Sequence, residues 1–162
     1  MTEQLLISGT SREEQYVSLL LQLKQLIHEE KDVVAILSNV AAALRQYFHF
    51  FWVGFYIVKD EQLVLGPFQG DIACFRIEFG KGVCGTAWKM RQVQLVPNVE
   101  DFTGHIACSA ASKSEIVVPI FSSKNKDQVV AVLDIDSDEL DDFNASDRFY
   151  LTQLTQWLST YF

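Results

Sequence analysis

The sequence has no apolar run near the roughly 20 residues that a membrane-spanning helix needs. It also has no surplus of basic residues, since 13 Lys and Arg stand against 21 Asp and Glu for a net charge of −8. The first absence argues against a membrane protein. The second disfavours phosphate backbones and anionic lipid surfaces, so neither nucleic acid nor a membrane is expected as a partner. Cysteine is scarce too: Cys74, Cys84 and Cys108 are the whole complement, with no Cys-x-x-Cys pair, and such spacing does not suit a structural zinc site. Repeats, low-complexity tracts and linkers are lacking. With 162 residues and 49% hydrophobic content, the expectation is a single domain over 1–162 with a well-developed core. Met1 to Ser8 has neither the basic nor the apolar region of a secretory leader, so the expected location is cytoplasmic, where a permanent structural disulfide is not favoured. An odd cysteine count leaves one thiol over whichever pair forms, which suits exchange better than a fixed staple.

What is present reads as helices around a sheet. Tyr16, Leu19, Leu20, Leu23, Leu26 and Ile27 recur at three- and four-residue steps, as do Val33, Ile36, Leu37, Val40, Leu44 and Phe48, with Asp32 a candidate N-cap. Phe51 to Val58 and Leu63 to Leu65 flank a polar Lys59–Gln62 break and predict a hairpin; Ile116 to Phe121 and Val129 to Ile135 predict a second strand pair. Phe149, Leu151, Leu154 and Leu158, preceded by Asn144 or Ser146 as cap, predict a closing helix. The fold class is therefore α+β: N-terminal helices at about 11–48, a mainly antiparallel sheet and site region at about 50–137, and a C-terminal helix at about 145–160.

The chemistry-bearing residues lie in the middle. Cys84 follows Gly80-Lys81-Gly82-Val83 at the predicted start of a short helix, where free N–H groups and the helix dipole stabilise a thiolate. Taken alone, an isolated cysteine in such a turn reads first as a small buried hydrophobe. Cys108 lies in a run of small residues, Gly104 to Ser112, that leaves its sulfur accessible; His105 nearby reads as a surface histidine. Asp134 and Asp136 are two apart at the end of an apolar strand, so continued pleating points both to one face. Glu115 opens another apolar run. If those strands are neighbours, three carboxylates converge, their mutual repulsion raises at least one pKa, and the same field opposes thiolate formation at Cys108.

These segments together resemble the GAF-domain free methionine-(R)-sulfoxide reductases. The resemblance is carried by Trp52-Val53-Gly54-Phe55-Tyr56, Gly66-Pro67-Phe68-Gln69-Gly70, Gly80-Lys81-Gly82-Val83-Cys84-Gly85, Gly104-His105-Ile106-Ala107-Cys108, Ser114-Glu115-Ile116-Val117-Val118-Pro119 and Val132-Leu133-Asp134-Ile135-Asp136-Ser137. All three family cysteine positions are filled. Around Cys108 the family's Pro and Asp are replaced by Thr103 and Ser109, which alters loop stiffness and local charge but removes no cysteine or site carboxylate.

The resemblance implies a GAF-like fold and a thiol-dependent oxidoreductase acting on free methionine (R)-sulfoxide without a bound cofactor or metal. It implies that Cys108 is the nucleophile, left as a sulfenic acid when methionine departs, and that Cys84 resolves it as a disulfide, with Cys74 relaying or substituting. It implies that thioredoxin restores the thiols. Trp52, with Tyr56 beside it, would meet the methylsulfinyl end, and Glu115, Asp134 and Asp136 would hold the ammonium group and polarise the sulfoxide oxygen. Pairing of GAF domains through terminal helices implies a homodimer. Two other readings stand beside this one: a non-catalytic GAF sensor for a small molecule, and a peroxide-reactive thiol sensor.

Overall fold

The computed structural model describes residues 4–162. Two helices come first. In α1 (Arg12–Ile27) Ser11 and Glu14 form a reciprocal capping box, which starts the helix three residues before the apolar periodicity becomes visible at Gln15. In α2 (Val33–Phe48) the Asp32 side chain accepts from the Val34 and Ala35 N–H groups, satisfying donors that a helix start leaves free. The closing helix α4 (Ala145–Leu158) is capped by Asn144 rather than Ser146, again with a box residue, Asp147.

Between them lie β1 (Trp52–Lys59), β2 (Gln62–Gln69), β3 (Arg76–Glu78), a short helix α3 (Gly82–Met90), β4 (Gln94–Val96), β5 (Ser114–Phe121) and β6 (Val129–Ser137). Among the described residues they make one six-stranded sheet of order β3-β2-β1-β6-β5-β4, every pairing antiparallel. The predicted hairpin and second strand pair are both found, and β2 runs on past Leu65 to Gln69. The edge strands β3 and β4 are three residues each and carry too little alternation to be read from sequence.

Strand alternation divides the molecule into two layers. Val53 and Phe55 of β1, Leu133 and Ile135 of β6, and Ile116, Val118 and Ile120 of β5 are buried in one core with Tyr16, Leu19, Leu23, Ile36, Leu37, Leu44, Leu151 and Leu154 of the long helices. The residues between them, Trp52, Tyr56, Val117 and Val132, belong to a second core with Val83, Cys84 and Ala87 of α3. The long helices thus cover one face of the sheet, and α3 with its flanking loops partly covers the other. A one-residue slip of β6 would exchange Leu133 and Ile135 for Asp134 and Asp136 against the helices, so burial on both faces pins the register.

Candidate active site

The second face carries the acidic residues. Asp136 pairs with Trp52 of β1 on one side and Glu115 of β5 on the other, while Asp134 stands opposite Gly54 and Val117. Pleating therefore turns Trp52, Tyr56, Glu115, Asp134 and Asp136 to the same side, where all five line one cavity. Glu115 and Asp134 are only 5% and 6% exposed. Burial first, and mutual repulsion second, push the carboxyl groups of Glu115 and Asp134 well above the usual range. Asp136 is pushed up by burial to about 6, held back by the Ser112 hydroxyl, which donates to it at 2.5 Å. Asp134 Oδ1 is buried with no hydrogen-bond partner. An orphaned buried acceptor costs about 1–3 kcal/mol, a cost that a donor arriving in the cavity would relieve.

The aromatic floor depends on a glycine. The Trp52 indole stacks on Phe68 at 5.4 Å and lies beside Tyr56 at 6.1 Å between ring centroids. A Cβ at Gly54 would stand 2.3 Å from the Trp52 ring and 2.6 Å from Phe68, so the ring lies flat only because position 54 has no side chain. Both aromatics also carry a polar task. Trp52 Nε1 donates to the Asp71 carbonyl and the Tyr56 hydroxyl to the Cys74 carbonyl, each at 3.0 Å, and Leu65 N–H donates to the Phe75 carbonyl, also at 3.0 Å. The loop from Asp71 to Phe75 is thereby tied to β1 and β2.

That loop carries one half of a disulfide. Cys74 is bonded to Cys108, with the two Cα atoms 5.6 Å apart, inside the span such a bridge requires. The partner of Cys108 is thus Cys74 and not Cys84, which corrects the pairing implied by the resemblance. Cys84 is a free thiol in the first turn of α3, 3% exposed. Its sequence position does favour a thiolate, but burial and the charges of Asp134 and Glu115 outweigh the helix end and push the thiol up, so it stays protonated beside these two acids. The inert reading of Cys84 therefore describes its ionisation, although it lines the cavity. A separation of 34 residues hides the real pair from any reading of spacing.

His105 is also not a surface residue. It lines the cavity with Nε2 3.7 Å from Glu115 Oε2, and partial burial lowers its pKa. Ligand atoms of Cys84, Glu115 and Asp134 lie within 4.8 Å of one another, a set that could hold a cation although none of these residues shows a metal-binding spacing in the sequence. Two carboxyl groups with an unpaired oxygen suit an ammonium group as well, and the raised pKa keeps Cys84 a neutral thiol beside them.

With the disulfide closed the cavity is about 40 Å³. That is far below the roughly 300–1,000 Å³ of sites that enclose small molecules. Cys108 belongs to the cavity wall, in a loop of small residues from Gly104 to Ser112. The arrangement provides an aromatic wall, a cluster of acids that share protons and a sulfur that is bonded to another, which together suit a two-electron reduction in which a protonated carboxyl serves an oxygen and a thiol takes it up.

Residues 30–160 match the family described as GAF domain. The chain is 54% identical over 159 residues to GAF domain-containing protein A of Dictyostelium discoideum, covering 98% of this chain and 99% of that one. It is 45% identical over 149 residues to the free methionine-R-sulfoxide reductase of Escherichia coli (strain K12), covering 91% of this chain and 88% of that one. Among solved structures, that of free methionine-R-sulfoxide reductase from Neisseria meningitidis in complex with its substrate superposes with a TM-score of 0.95 at 43% identity, covering 99% of this chain and 96% of the other.

Proposed function

Because the chain belongs to the GAF-domain family and, within it, to the free methionine-R-sulfoxide reductases, we propose that the site just described reduces free methionine (R)-sulfoxide to methionine. The chain is an oxidoreductase that works through thiols. The observation that carries this reading is the Cys74–Cys108 disulfide set on the wall of a cavity whose inner surface is Trp52 and three convergent acids. A sensor module needs no such bond.

Cys108, once reduced, attacks the sulfoxide sulfur. The oxygen passes to Cys108 as a sulfenic acid, a carboxyl proton serves it on the way, and methionine leaves. Cys74 then attacks the sulfenic sulfur, water departs and the disulfide forms. Cys84 takes no electrons; it stands as a buried neutral thiol beside Asp134 and Glu115. Trp52 and Tyr56 receive the methylsulfinyl end, and Glu115, Asp134 and Asp136 divide the ammonium group and the sulfoxide oxygen between them. Free amino acid is preferred because a peptide lacks that ammonium.

Thioredoxin is the external reductant in this reading, in the reducing cytoplasm. No described helix is long and apolar enough to cross a membrane. Residues 1–162 act as one domain, of which the first three lie outside the described residues. Val17 and Leu21, 54% and 60% exposed one turn apart on α1, with Phe149 at 56% on α4, support a homodimer paired through the terminal helices.

Chiral chromatography of the remaining substrate tests the activity. Loss of the R-epimer alone, from free amino acid and not from an oxidised protein, is expected. Equal loss of both epimers, or efficient repair of an oxidised protein, would remove the assignment.

A further inference from the structure

The disulfide is surrounded by apolar side chains that the fold leaves in water. Ile72 is 87% exposed, Phe75 78% and Ile106 40%. Each is within two residues of Cys74 or Cys108; Ile72, Ile106 and Cys108 form the rim of one opening, and Phe75 is the residue after Cys74. Ala107, Ala110 and Ala111, in the Cys108 loop, are exposed as well. On a chain of net charge −8, neither Ile72 to Phe75 nor Thr103 to Ser112 contains an acidic or basic residue apart from His105. The backbone beneath is held: Trp52 fixes the Asp71 carbonyl, Tyr56 that of Cys74 and the Leu65 N–H that of Phe75. Phe75 is therefore presented on a fixed backbone and does not turn inward to find cover.

We propose that this rim, together with the exposed Phe75 next to Cys74, is the docking surface for the protein dithiol that reduces the Cys74–Cys108 disulfide. The proposal rests on the reading of that bond as the one turned over. A disulfide must be approached by an external thiolate, and the surface around it selects which thiol arrives. A small anionic thiol is repelled by the net charge and gains nothing from exposed Phe and Ile. A protein that carries its reactive cysteine on an apolar, uncharged surface buries both patches at once, and a buried aromatic supplies the anchor that protein interfaces rely on. Reduction then proceeds in two exchanges. The partner's thiolate attacks the sulfur of Cys108, the more exposed residue of the pair, forming a mixed disulfide and releasing the Cys74 thiolate, which takes up a proton. The partner's second thiol, losing its proton, attacks the partner's own sulfur in that mixed disulfide and releases Cys108 as a thiolate. The enzyme gains two electrons and the partner leaves as its disulfide.

The test compares two reductants on the same enzyme, thioredoxin with its reductase and NADPH, and dithiothreitol. Phe75→Ser should raise the KM for thioredoxin roughly tenfold, the loss of one interface anchor. Dithiothreitol-driven turnover and the KM for methionine sulfoxide should stay at wild-type values, and Phe75→Leu should recover most of the thioredoxin dependence. An unchanged KM for thioredoxin in Phe75→Ser overturns the proposal. So does a change from dimer to monomer in light scattering with thioredoxin kinetics intact, which would give the rim to a second copy of the chain. Recycling of wild type by glutathione in preference to thioredoxin overturns it too. If dithiothreitol supports no turnover of methionine sulfoxide in wild type, the functional reading of the disulfide fails first and the docking surface falls with it.

Discussion

The Tyr56 hydroxyl donates to the backbone carbonyl of Cys74 at 3.0 Å, so a residue in the middle of β1 holds the loop that carries one half of the disulfide. Burial and the neighbouring acids raise its phenol pKa, so the donor proton stays in place. The central sheet and the redox loop are thus joined by a bond that never needs to ionise. Tyr56→Phe should slow closure of the disulfide about fivefold, the effect of losing a bond of about 1 kcal/mol, with the first release of methionine less affected. Rapid quenching with an alkylating reagent, followed by peptide mapping, measures the closing step directly.

The three cysteines should separate cleanly by turnover number. Cys108→Ser should release no methionine. Cys74→Ser should release about one methionine per site and stall, since sulfenic acid formation precedes resolution. Cys84→Ser should continue through many turnovers, because a buried, protonated thiol is no resolving group. Single-turnover and steady-state assays on the same preparations decide it, and a Cys84→Ser enzyme that stalls after one methionine would restore Cys84 to the redox path.

Asp134→Asn removes one member of a crowded acid cluster and keeps the shape. Its thermal midpoint should hold or rise, because a buried carboxyl crowded by other acids gives way to an amide that cannot ionise. Catalytic efficiency should fall about 100-fold, the usual cost of removing a group that serves developing charge. Calorimetry and kinetics on one preparation separate the two effects; a large loss of stability with normal kinetics would make Asp134 structural.

Stability should also depend on pH through Asp136. Folding raises this carboxyl from 3.8 to about 6, so the folded chain holds the proton more tightly than the unfolded one. The resulting stabilisation is fully present below 3.8 and is lost as the pH rises through about 6. Asp136→Asn should flatten that part of the curve of melting temperature against pH. An identical curve in the variant would show that Asp136 is not the group responsible.

Gly54→Ala should displace the indole of Trp52, since the added carbon would stand 2.3 Å from it. Overpacking of this kind costs about 1–3 kcal/mol. Chemical denaturation should show that loss, and the KM for methionine sulfoxide should rise severalfold if the indole is the substrate's wall.

The parts of this structure that sequence revealed are those governed by local periodicity. The step of Tyr16, Leu19 and Leu23 gave α1, and alternation through Leu133 and Ile135 put Asp134 and Asp136 on one side of β6. The resemblance added Trp52 and Tyr56, which periodicity alone would have left as core aromatics. What remained hidden depended on distance through space. Cys74 and Cys108 meet because a loop tied by Trp52 and Tyr56 faces another across the cavity mouth, and neither segment repeats anything that marks the other. Likewise, the helix start at Cys84 predicts an activated thiol, but the acids that reverse this prediction arrive from β5 and β6. His105 looked like surface because its burial is supplied by residues far away in sequence.

The small cavity, about 40 Å³ beside the closed Cys74–Cys108 bond, has a kinetic meaning. An oxidised molecule has no room for a second sulfoxide, so it is latched until a dithiol opens it. Substrate and reductant must then alternate, each leaving the protein in the form that only the other recognises. Double-reciprocal plots at several reductant concentrations would be parallel, and at high sulfoxide the supply of electrons alone would set the pace. The latch also shelters the sulfur: held in a bridge, Cys108 is not left as a sulfenic acid open to further, irreversible oxidation.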